Sequence, residues 1–243
     1  MILLLTGCIN PNGMAFTTLS NKKERKEQYI NAIYYYLSHT QYKIVFTENS
    51  GTDISNAFQD AINAGRLEYL TYIGNQNKER GKGYGECEIL EYTLNHSEFI
   101  QLSSDKRIVK ITGRLIVKNI TTLIRCHQLF FSKRTVFCSI NSDLSFPDSR
   151  LIIAPIAFWK TFIQTKENIN DYKGYYFEHA LCDTIKIEKD FSYSPFFIMP
   201  IIIGISGSTG KEYTYTHKPF SFLFKYAKYA FFLKKKFQKK YRY

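Results

Sequence analysis

The sequence predicts an α/β fold with a mostly parallel central sheet, and two observations support this prediction. Short apolar runs alternate with helical periodicity early in the chain, where the runs occupy residues 2–5, 43–47 and 67–73. The stretch at residues 106–119, KRIVKITGRLIVKN, contains a further apolar run that ends abruptly at a glycine. Strands that alternate with helices form right-handed βαβ crossovers, which place the strands parallel in one sheet.

The first elements follow in order from these patterns. A strand at residues 2–5 opens the chain and is expected in the middle of the sheet. Ser20 or Asn21 caps the first helix, whose apolar positions recur at helical spacing while lysines and glutamates occupy the other face. A second amphipathic helix is expected at residues 53–64, before the third strand.

Two glycine-rich segments approach known phosphate-binding motifs without matching them. Residues 78–86, KERGKGYGE, have GxGxG spacing rather than the GxGxxG of dinucleotide-binding folds. We interpret this segment as a cationic loop whose free N–H groups bind phosphate beside Lys82, with an ordinary mobile loop as the alternative. Residues 204–211, GISGSTGK, lack the glycine spacing and the following helix of a P-loop, and are interpreted as a pliable loop that closes over a ligand.

The stretch at residues 106–119 provides the first candidate ligand-binding residues. Its buried strand ends at Thr112, Gly113 and Arg114, and ligands of open α/β sheets lie beyond the carboxyl ends of the strands. A hydroxyl suits a sugar or phosphate oxygen, glycine permits close approach of the backbone, and the planar fork of arginine binds a diphosphate. The alternative is a strand end whose arginine is simply solvated.

The second half of the chain continues with the same kinds of element. Two strands and two helices are predicted at residues 135–140, 151–154, 158–166 and 172–181. A loop at residues 141–150 joins the two strands and carries Asp143 and Asp148. Glu178 lies in the last helix among aromatic and apolar neighbours, which suits a general base. The alternative is an exposed glutamate on a helix face.

The net charge of +12 is concentrated at the C-terminus of the 243-residue chain. Eight basic residues and no acidic residue lie between residues 225 and 243, which leaves a net charge of only +4 for the part before them. A body so mildly basic needs no polyanionic partner. The five cysteines form no CxxC pair, which argues against a zinc knuckle or disulfide framework and for a reducing compartment.

The C-terminal residues predict a basic amphipathic helix with an aromatic face. Apolar side chains recur there at spacings of three and four, at Phe222, Tyr226, Tyr229, Leu233, Phe237 and Tyr241. Lysines flank them, and such a helix suits the interface of an anionic membrane. Two alternatives are that the same residues bind nucleic acid, or that the aromatic face packs on the domain.

Six features of the sequence belong together. They are LLLTGCINP at the start, Arg25 in the first helix, FTENSG at residues 46–51, GKGYGE at 81–86, KITGR at 110–114 and GISGSTGKEY at 204–213. Together they resemble the small bacterial glycosyltransferases of capsule and lipopolysaccharide (O-antigen) gene clusters. The resemblance implies a GT-A-like three-layer sandwich over residues 1–215. A nucleotide-binding half would occupy residues 1–118 and an acceptor-binding half residues 119–215, followed by the basic tail at residues 216–243.

The resemblance also implies a nucleotide-sugar donor and assigns roles to residues. The expected donor-binding residues are Thr6, Gly7, Lys82, Gly83, Thr112 and Gly113. Thr6 and Gly7 would lie near the base and ribose, while Lys82 and Arg114 would face the diphosphate. Glu178 would deprotonate the acceptor hydroxyl if the enzyme inverts the anomeric centre.

The chain departs from the GT-A pattern in one respect that concerns metal. Most of these enzymes hold a divalent metal through an Asp-x-Asp triplet, and this sequence contains none. We expect a cation to neutralise the leaving diphosphate instead, so that no metal is required. The alternative is that Asp143 or Asp148 binds Mg²⁺ or Mn²⁺, with water completing the coordination shell.

The sequence therefore predicts a cytoplasmic glycosyltransferase, peripheral on the inner face of the plasma membrane, that adds a sugar to a lipid-linked, lipopolysaccharide or capsule acceptor. One alternative is a non-catalytic nucleic-acid-binding protein, which would need the basic surface to extend onto the body. A second alternative is another nucleotide-dependent transferase, such as a methyltransferase or phosphotransferase. The absence of the GxGxxG and GxxxxGK[ST] motifs counts against it.

Overall fold

The computed structural model describes residues 1–15 and 17–242. Its strands are β1 (Ile2–Gly7), β2 (Lys43–Glu48), β3 (Leu67–Thr71), β4 (Arg107–Thr112), β5 (Ile116–Val117), β6 (Thr135–Ile140), β7 (Pro147–Pro155), β8 (Ser192–Ser194), β9 (Ile202–Ile205) and β10 (Glu212–Tyr213). Its helices are α1 (Lys22–His39), α2 (Gln59–Asn63), α3 (Lys82–His96), α4 (Glu98–Gln101), α5 (Ile120–Phe130), α6 (Ile156–Ile163), α7 (Phe177–Ile187) and α8 (Phe220–Tyr241). Tyr243, the last residue of the predicted tail, lies outside the described residues.

Seven of the described strands form one sheet in the order β3-β2-β1-β4-β7-β6-β8. β1 pairs in parallel with both β2 and β4, so it is a central strand as predicted. β2 pairs in parallel with β3, and β6 with β8. β7 is antiparallel to its two neighbours, β4 and β6. The sheet is thus mostly parallel, which confirms the predicted fold class.

Helices cover both faces of this sheet, and the apolar strands β1 and β4 contribute side chains to the hydrophobic cores on both faces. In β1, Leu4 packs in a core with α3, α6 and α7, whereas Leu3 and Leu5 pack in a core with α1 and α5. Ile108 and Val109 of β4 divide in the same way. Successive side chains of a strand point to opposite faces, so a continuous apolar run fits a doubly covered strand. The result is the three-layer arrangement expected for a GT-A-like fold.

Several element boundaries differ from the predicted ones. The helix expected from residue 172 begins only at Phe177, after a 3-10 turn at Asp171–Lys173. α3 begins at Lys82, so two glycines that were expected in a loop lie in its first turn. The helix expected at residues 53–64 is a 3-10 turn at Ser55–Phe58 followed by the short α2. The loop expected at residues 141–150 is a hairpin, because β7 already begins at Pro147.

Two further units complete the fold. β9 pairs antiparallel with both β5 and β10 in a small sheet. The glycine-rich residues 204–211 form the end of β9 and the turn that leads to β10. α8 is the predicted C-terminal helix. Leu233 and Phe237, two residues of the aromatic face expected at a membrane, instead pack on the body, which was the alternative for these residues. No helix in the described part of the chain is long and apolar enough to cross a membrane.

Candidate active site

A cavity of about 570 Å³ opens at the carboxyl ends of β1 and β4. This volume is typical of small-molecule sites in proteins. The predicted residues that line it are Thr6, Gly7, Lys82, Gly83, Thr112, Arg114 and Glu178. Gly113 is not among the lining residues. The structure thus brings residues from both predicted halves of the chain to one cavity, while their roles remain predictions.

The direction of β7 explains how the second half reaches this cavity. β7 is antiparallel to β4, so its first residues lie at the sheet edge where β4 ends. This places Ser149 and Arg150 on the cavity wall. Glu178, in the first turn of α7, accepts a 2.6 Å hydrogen bond from the Ser149 hydroxyl. Glu178 is therefore held at the cavity by β7. In a fully parallel sheet, the first residues of β7 would lie at the opposite edge of the sheet.

A buried ion pair lies at the centre of the lining. Lys110 of β4 is 1% exposed, and its Nζ lies 2.6 Å from Oε1 of Glu86 on α3. The Thr6 hydroxyl donates a 2.7 Å hydrogen bond to the same oxygen. Burial acts to raise the pKa of Glu86, but the charge and hydrogen bond of Lys110, the hydrogen bond of Thr6 and the charge of Arg114 together hold it below its ordinary value.

This ion pair also determines what Thr6 can offer a ligand. A hydroxyl has one hydrogen to donate and two lone pairs that accept. The hydrogen of Thr6 is engaged by Glu86, so toward a ligand its oxygen acts as an acceptor. Lys110 Nζ in turn donates a 2.8 Å hydrogen bond to the Ser149 carbonyl. A continuous polar chain therefore connects Thr6 through Glu86, Lys110 and Ser149 to Glu178.

Arg114 is a buried cation whose hydrogen-bond partners among the described residues are neutral. It is 8% exposed, and its Nη1 donates hydrogen bonds of 2.8 Å to the Ile205 carbonyl and 3.3 Å to the Gln28 side chain. Its Nε has no hydrogen-bond partner among the described residues, and no ion pair there includes it. A buried charge is costly unless it is paired. The cavity around Arg114 is therefore suited to an anionic ligand.

Arg25, one of the residues that carry the resemblance to glycosyltransferases, has a different environment. It is 5% exposed, its Nε donates a 2.8 Å hydrogen bond to the Cys8 carbonyl, and its Nη1 donates one of 3.0 Å to the Leu19 carbonyl. These bonds fix the chain that leaves β1. Arg25 therefore shapes the cavity wall, and its charge also has carbonyl rather than carboxylate partners.

Lys82 and Gly83 lie in the first turn of α3 rather than in the cationic loop that was predicted to precede the helix. Gly81 precedes the helix at φ 90°, and the Gly83 N–H donates a 3.0 Å hydrogen bond to the carboxylate of Asp171. Asp171 is 4% exposed, and its burial raises its pKa despite the opposing effects of the Gly83 N–H and the Lys82 charge. Asp171 caps the helix end that was expected to hold phosphate. The Lys82 side chain at this helix end is exposed and donates a hydrogen bond to the hydroxyl of Ser208.

Gly113 has a structural reason to be glycine that involves no ligand. Its N–H donates a 2.9 Å hydrogen bond to the Thr6 carbonyl. A Cβ at residue 113 would lie 2.6 Å from that carbonyl oxygen. The close backbone approach predicted at this glycine is therefore an approach to β1, which aligns the ends of the two strands.

The acidic residues at the cavity do not form a metal site of several protein ligands. No group of three or more His, Cys, Asp or Glu side chains that could hold a metal occurs among the described residues. Asp148 is engaged by Arg150, whose Nη2 lies 2.6 Å from its Oδ2. Asp143 is exposed and accepts hydrogen bonds from Ser145 within the β6–β7 hairpin. Neither predicted aspartate therefore presents a free carboxylate in a ligand cluster.

Two segments at the cavity, residues 17–19 and residues 206–208, contact each other. The Thr18 hydroxyl donates a 2.7 Å hydrogen bond to the Ser208 carbonyl, and the Leu19 N–H donates one of 3.3 Å to Gly207. Gly207 also lies against the Arg114 guanidinium, where a Cβ would collide with it. The predicted pliable loop thus lies directly over the candidate anion site.

Several lining residues escaped the sequence analysis, including Lys110, Glu86, Ser149 and Asp171. Lys110 carried a usable signal, because a lysine among Ile108, Val109 and Ile111 interrupts an apolar strand and must find a buried partner. Asp171 carried none, since its distance in sequence from α3 gives no indication that it caps that helix.

Comparisons with known proteins show distant similarity of fold. Neither a family model nor the sequence of a curated protein matches the chain. A cytidylyltransferase from Leptospira borgpetersenii serovar Hardjo-bovis is 9% identical over 80% of this chain and 75% of that chain, with a TM-score of 0.47. The inositol-1-phosphate CTP transferase from T. maritima is 10% identical over 98% and 96%, with a TM-score of 0.42. Mouse xyloside xylosyltransferase 1 in its apo form is 8% identical over 75% and 79%, with a TM-score of 0.39. All three are transferases.

Proposed function

We propose that the chain is a glycosyltransferase that moves a sugar from a nucleotide-sugar donor to a hydroxyl group of a saccharide or lipid-linked acceptor. The observation that supports this most is that Arg114 and Glu178 share one cavity. The first is a buried cation with neutral partners, and the second is a carboxylate oriented by Ser149. The sequence resemblance supports a capsule or lipopolysaccharide precursor as the acceptor.

The proposed reaction uses these residues in distinct roles. The oxygen of the acceptor hydroxyl attacks the anomeric carbon, and the bond from that carbon to the diphosphate oxygen breaks. Glu178 accepts the proton of the hydroxyl. Arg114 and Lys82 neutralise the charge that develops on the departing nucleoside diphosphate. The ends of β1 and β4, with Thr6 and Thr112, are the proposed site of the nucleoside.

No step of this proposal is routed through a metal ion. The two candidate aspartates, Asp143 and Asp148, are engaged by Ser145 and Arg150. A side-chain cation and a metal ion both neutralise a leaving diphosphate, so Arg114 supplies that function in the proposed reaction.

Thermal unfolding of the purified chain tests the proposal. UDP, GDP, CMP, dTDP, ATP, CTP and S-adenosylmethionine are added singly, each with Mn²⁺ or with EDTA. A ligand at 100 times its dissociation constant stabilises the folded state by about 2.7 kcal/mol. We expect a shift with one nucleotide product of a sugar donor, retained in EDTA and lost in Arg114→Ala.

A product assay separates the proposed reaction from its alternatives. Release of the nucleotide from a nucleotide sugar, with transfer of the sugar to a hydroxyl, is the expected result. Release of pyrophosphate from a nucleoside triphosphate, without turnover of any nucleotide sugar, would identify a nucleotidyltransferase instead. Stabilisation by S-adenosylmethionine alone would indicate a methyltransferase.

A further inference from the structure

α8 has two apolar surfaces, and one of them packs on the body. Ala230, Leu233 and Phe237 are buried, and the Phe237 ring centroid lies 4.6 Å from that of Tyr193. Beyond the helix, Arg242 donates hydrogen bonds to carbonyls at the end of α7 and after it, including one of 2.6 Å to Ile185. This surface fixes the second half of α8 to the domain.

The other apolar surface is exposed to solvent. It consists of Phe220, Phe222, Leu223, Phe224, Tyr229, Phe231 and Phe232, and we name it the exposed aromatic surface. Residues 220–225 are exposed on every side of the helix. Contiguous exposed apolar side chains in a folded protein mark an interaction site.

The end of α5 extends the exposed aromatic surface. Leu129 and Phe130 are 75% and 74% exposed. Lys234 of α8 lies 5.0 Å from the ring centroid of Phe131, the next residue along. The end of α5, which carries two exposed apolar side chains, therefore lies near α8.

The charge around this surface selects the kind of partner. α8 contains seven lysines, at residues 225, 228, 234, 235, 236, 239 and 240, and no acidic residue occurs from residue 213 to residue 243. A second copy of the chain would bring these lysines against one another. Aromatic rings beside lysines instead match a lipid interface, where rings enter the headgroup region and ammonium groups contact anionic phosphates.

We propose that the exposed aromatic surface docks on an anionic membrane surface, with its aromatic rings entering the headgroup layer. The second half of α8, held by Leu233 and Phe237, transmits this attachment to the body. The proposal extends the transfer reaction and does not depend on it, because membrane attachment needs no nucleotide.

Vesicle sedimentation of the full chain tests this proposal without any substrate. Vesicles of phosphatidylcholine alone are compared with vesicles of phosphatidylcholine and phosphatidylglycerol in equal parts. We expect binding to the mixed vesicles that falls steeply with added salt. The double variant Phe231→Ser/Phe232→Ser should bind about tenfold more weakly or worse, and so should Lys235→Glu/Lys239→Glu.

The matched control is Leu102→Ser. Leu102 is an apolar residue that is 83% exposed, and it lies directly after α4, outside α8. This variant should bind vesicles as the unchanged chain does, and circular dichroism should show the same fold for all variants. Absent binding to mixed vesicles would overturn the proposal, as would equal binding to neutral vesicles. Retention of a DNA or RNA probe without vesicle binding, or a dimer that the Phe231/Phe232 variant dissociates, would overturn it in favour of those partners.

Discussion

The ammonium group of Lys110 lies 2.6 Å from the carboxylate of Glu86, inside the wall of the candidate site. The same ammonium donates a hydrogen bond to the Ser149 carbonyl, so one side chain joins α3, β4 and β7. Because Lys110 is almost fully buried, loss of its partner would leave an uncompensated charge. The pair therefore contributes to stability as well as to the geometry of the cavity.

Glu86→Gln is expected to lower the free energy of unfolding by about 3 kcal/mol at pH 7. The pKa of Glu86 is lowered in the folded state, so its contribution is fully present above the ordinary value of 4.5 and is lost as the pH falls through the folded-state pKa. The difference between the unchanged chain and the variant should shrink on acidification. Urea denaturation from pH 7 to pH 3 measures it, with the exposed Glu27→Gln as control. A difference that is constant over this range would contradict the assignment.

Arg114→Ala is expected to weaken binding of the nucleotide by about tenfold to a hundredfold, because it removes charge-assisted hydrogen bonds to the diphosphate. Arg114→Lys should recover only part of the affinity, since lysine keeps the charge but not the planar fork. Isothermal titration calorimetry gives the dissociation constants. Arg125→Ala, an exposed residue outside the cavity, makes the same change in net charge and should bind normally. Equal weakening in the Arg125 variant would refute a specific role for Arg114.

Glu178→Gln is expected to leave nucleotide affinity unchanged and to lower kcat by about 10² to 10⁴, which is the usual contribution of a general base. The amide keeps the shape of the side chain but cannot accept the proton of the acceptor. Single-turnover kinetics together with a binding titration separate the two quantities. Glu27→Gln again serves as the control. Full turnover in the Glu178 variant would remove this residue from the proposed mechanism.

Gly113→Ala is expected to destabilise the fold by about 2 kcal/mol or more, because its Cβ would lie 2.6 Å from the Thr6 carbonyl oxygen. Gly13→Ala is the comparison, since that glycine has φ 77° but no atom within 4 Å of an added Cβ. The second change should cost only the strain of the backbone conformation, about 1 kcal/mol. Thermal denaturation measures the loss of stability in both variants. A larger loss in Gly13→Ala than in Gly113→Ala would contradict the packing at the ends of β1 and β4.

Phe237→Ala is expected to lower the free energy of unfolding by about 3 to 5 kcal/mol, because this ring is 1% exposed and its removal leaves a cavity. Phe231→Ala, in the same helix but 51% exposed, should change it by no more than about 0.5 kcal/mol. Chemical denaturation of both variants gives the comparison. Similar values for the two would mean that α8 is not anchored through its buried face.

The parallel part of the sheet could be predicted from the sequence because burial and periodicity determine it. β6 has the predicted bounds, and β1 is central as expected. The direction of β7 could not be predicted, since an apolar run shows that a strand is buried on both faces but not which way it points. That direction carries Ser149 to the cavity, so the polar chain leading to Glu178 was also beyond sequence reasoning.

The environment of the predicted residues could not be predicted either, because it depends on contacts between residues that are distant in sequence. Arg114 was identified from its place after a strand, but its neutral partners come from Gln28 and Ile205, which are distant in sequence. The helical spacing of the tail identified the face that contains Leu233 and Phe237, but it could not show that these residues pack on the body while Phe231, outside that face, is exposed. Periodicity identifies an apolar surface, whereas only the folded chain shows what covers it.

The antiparallel β7 has a consequence for how this scaffold tolerates change. The hairpin between Ile140 and Pro147 projects from the cavity edge of the sheet, and the paired segments behind it are held by neighbouring strands on both sides. Leu144 anchors the hairpin because it is fully buried in the core, whereas Asn141, Ser142, Asp143 and Ser145 are exposed. Exchange of these exposed residues would therefore reshape the entrance of the pocket while the buried Lys110 and Glu86 stay in place.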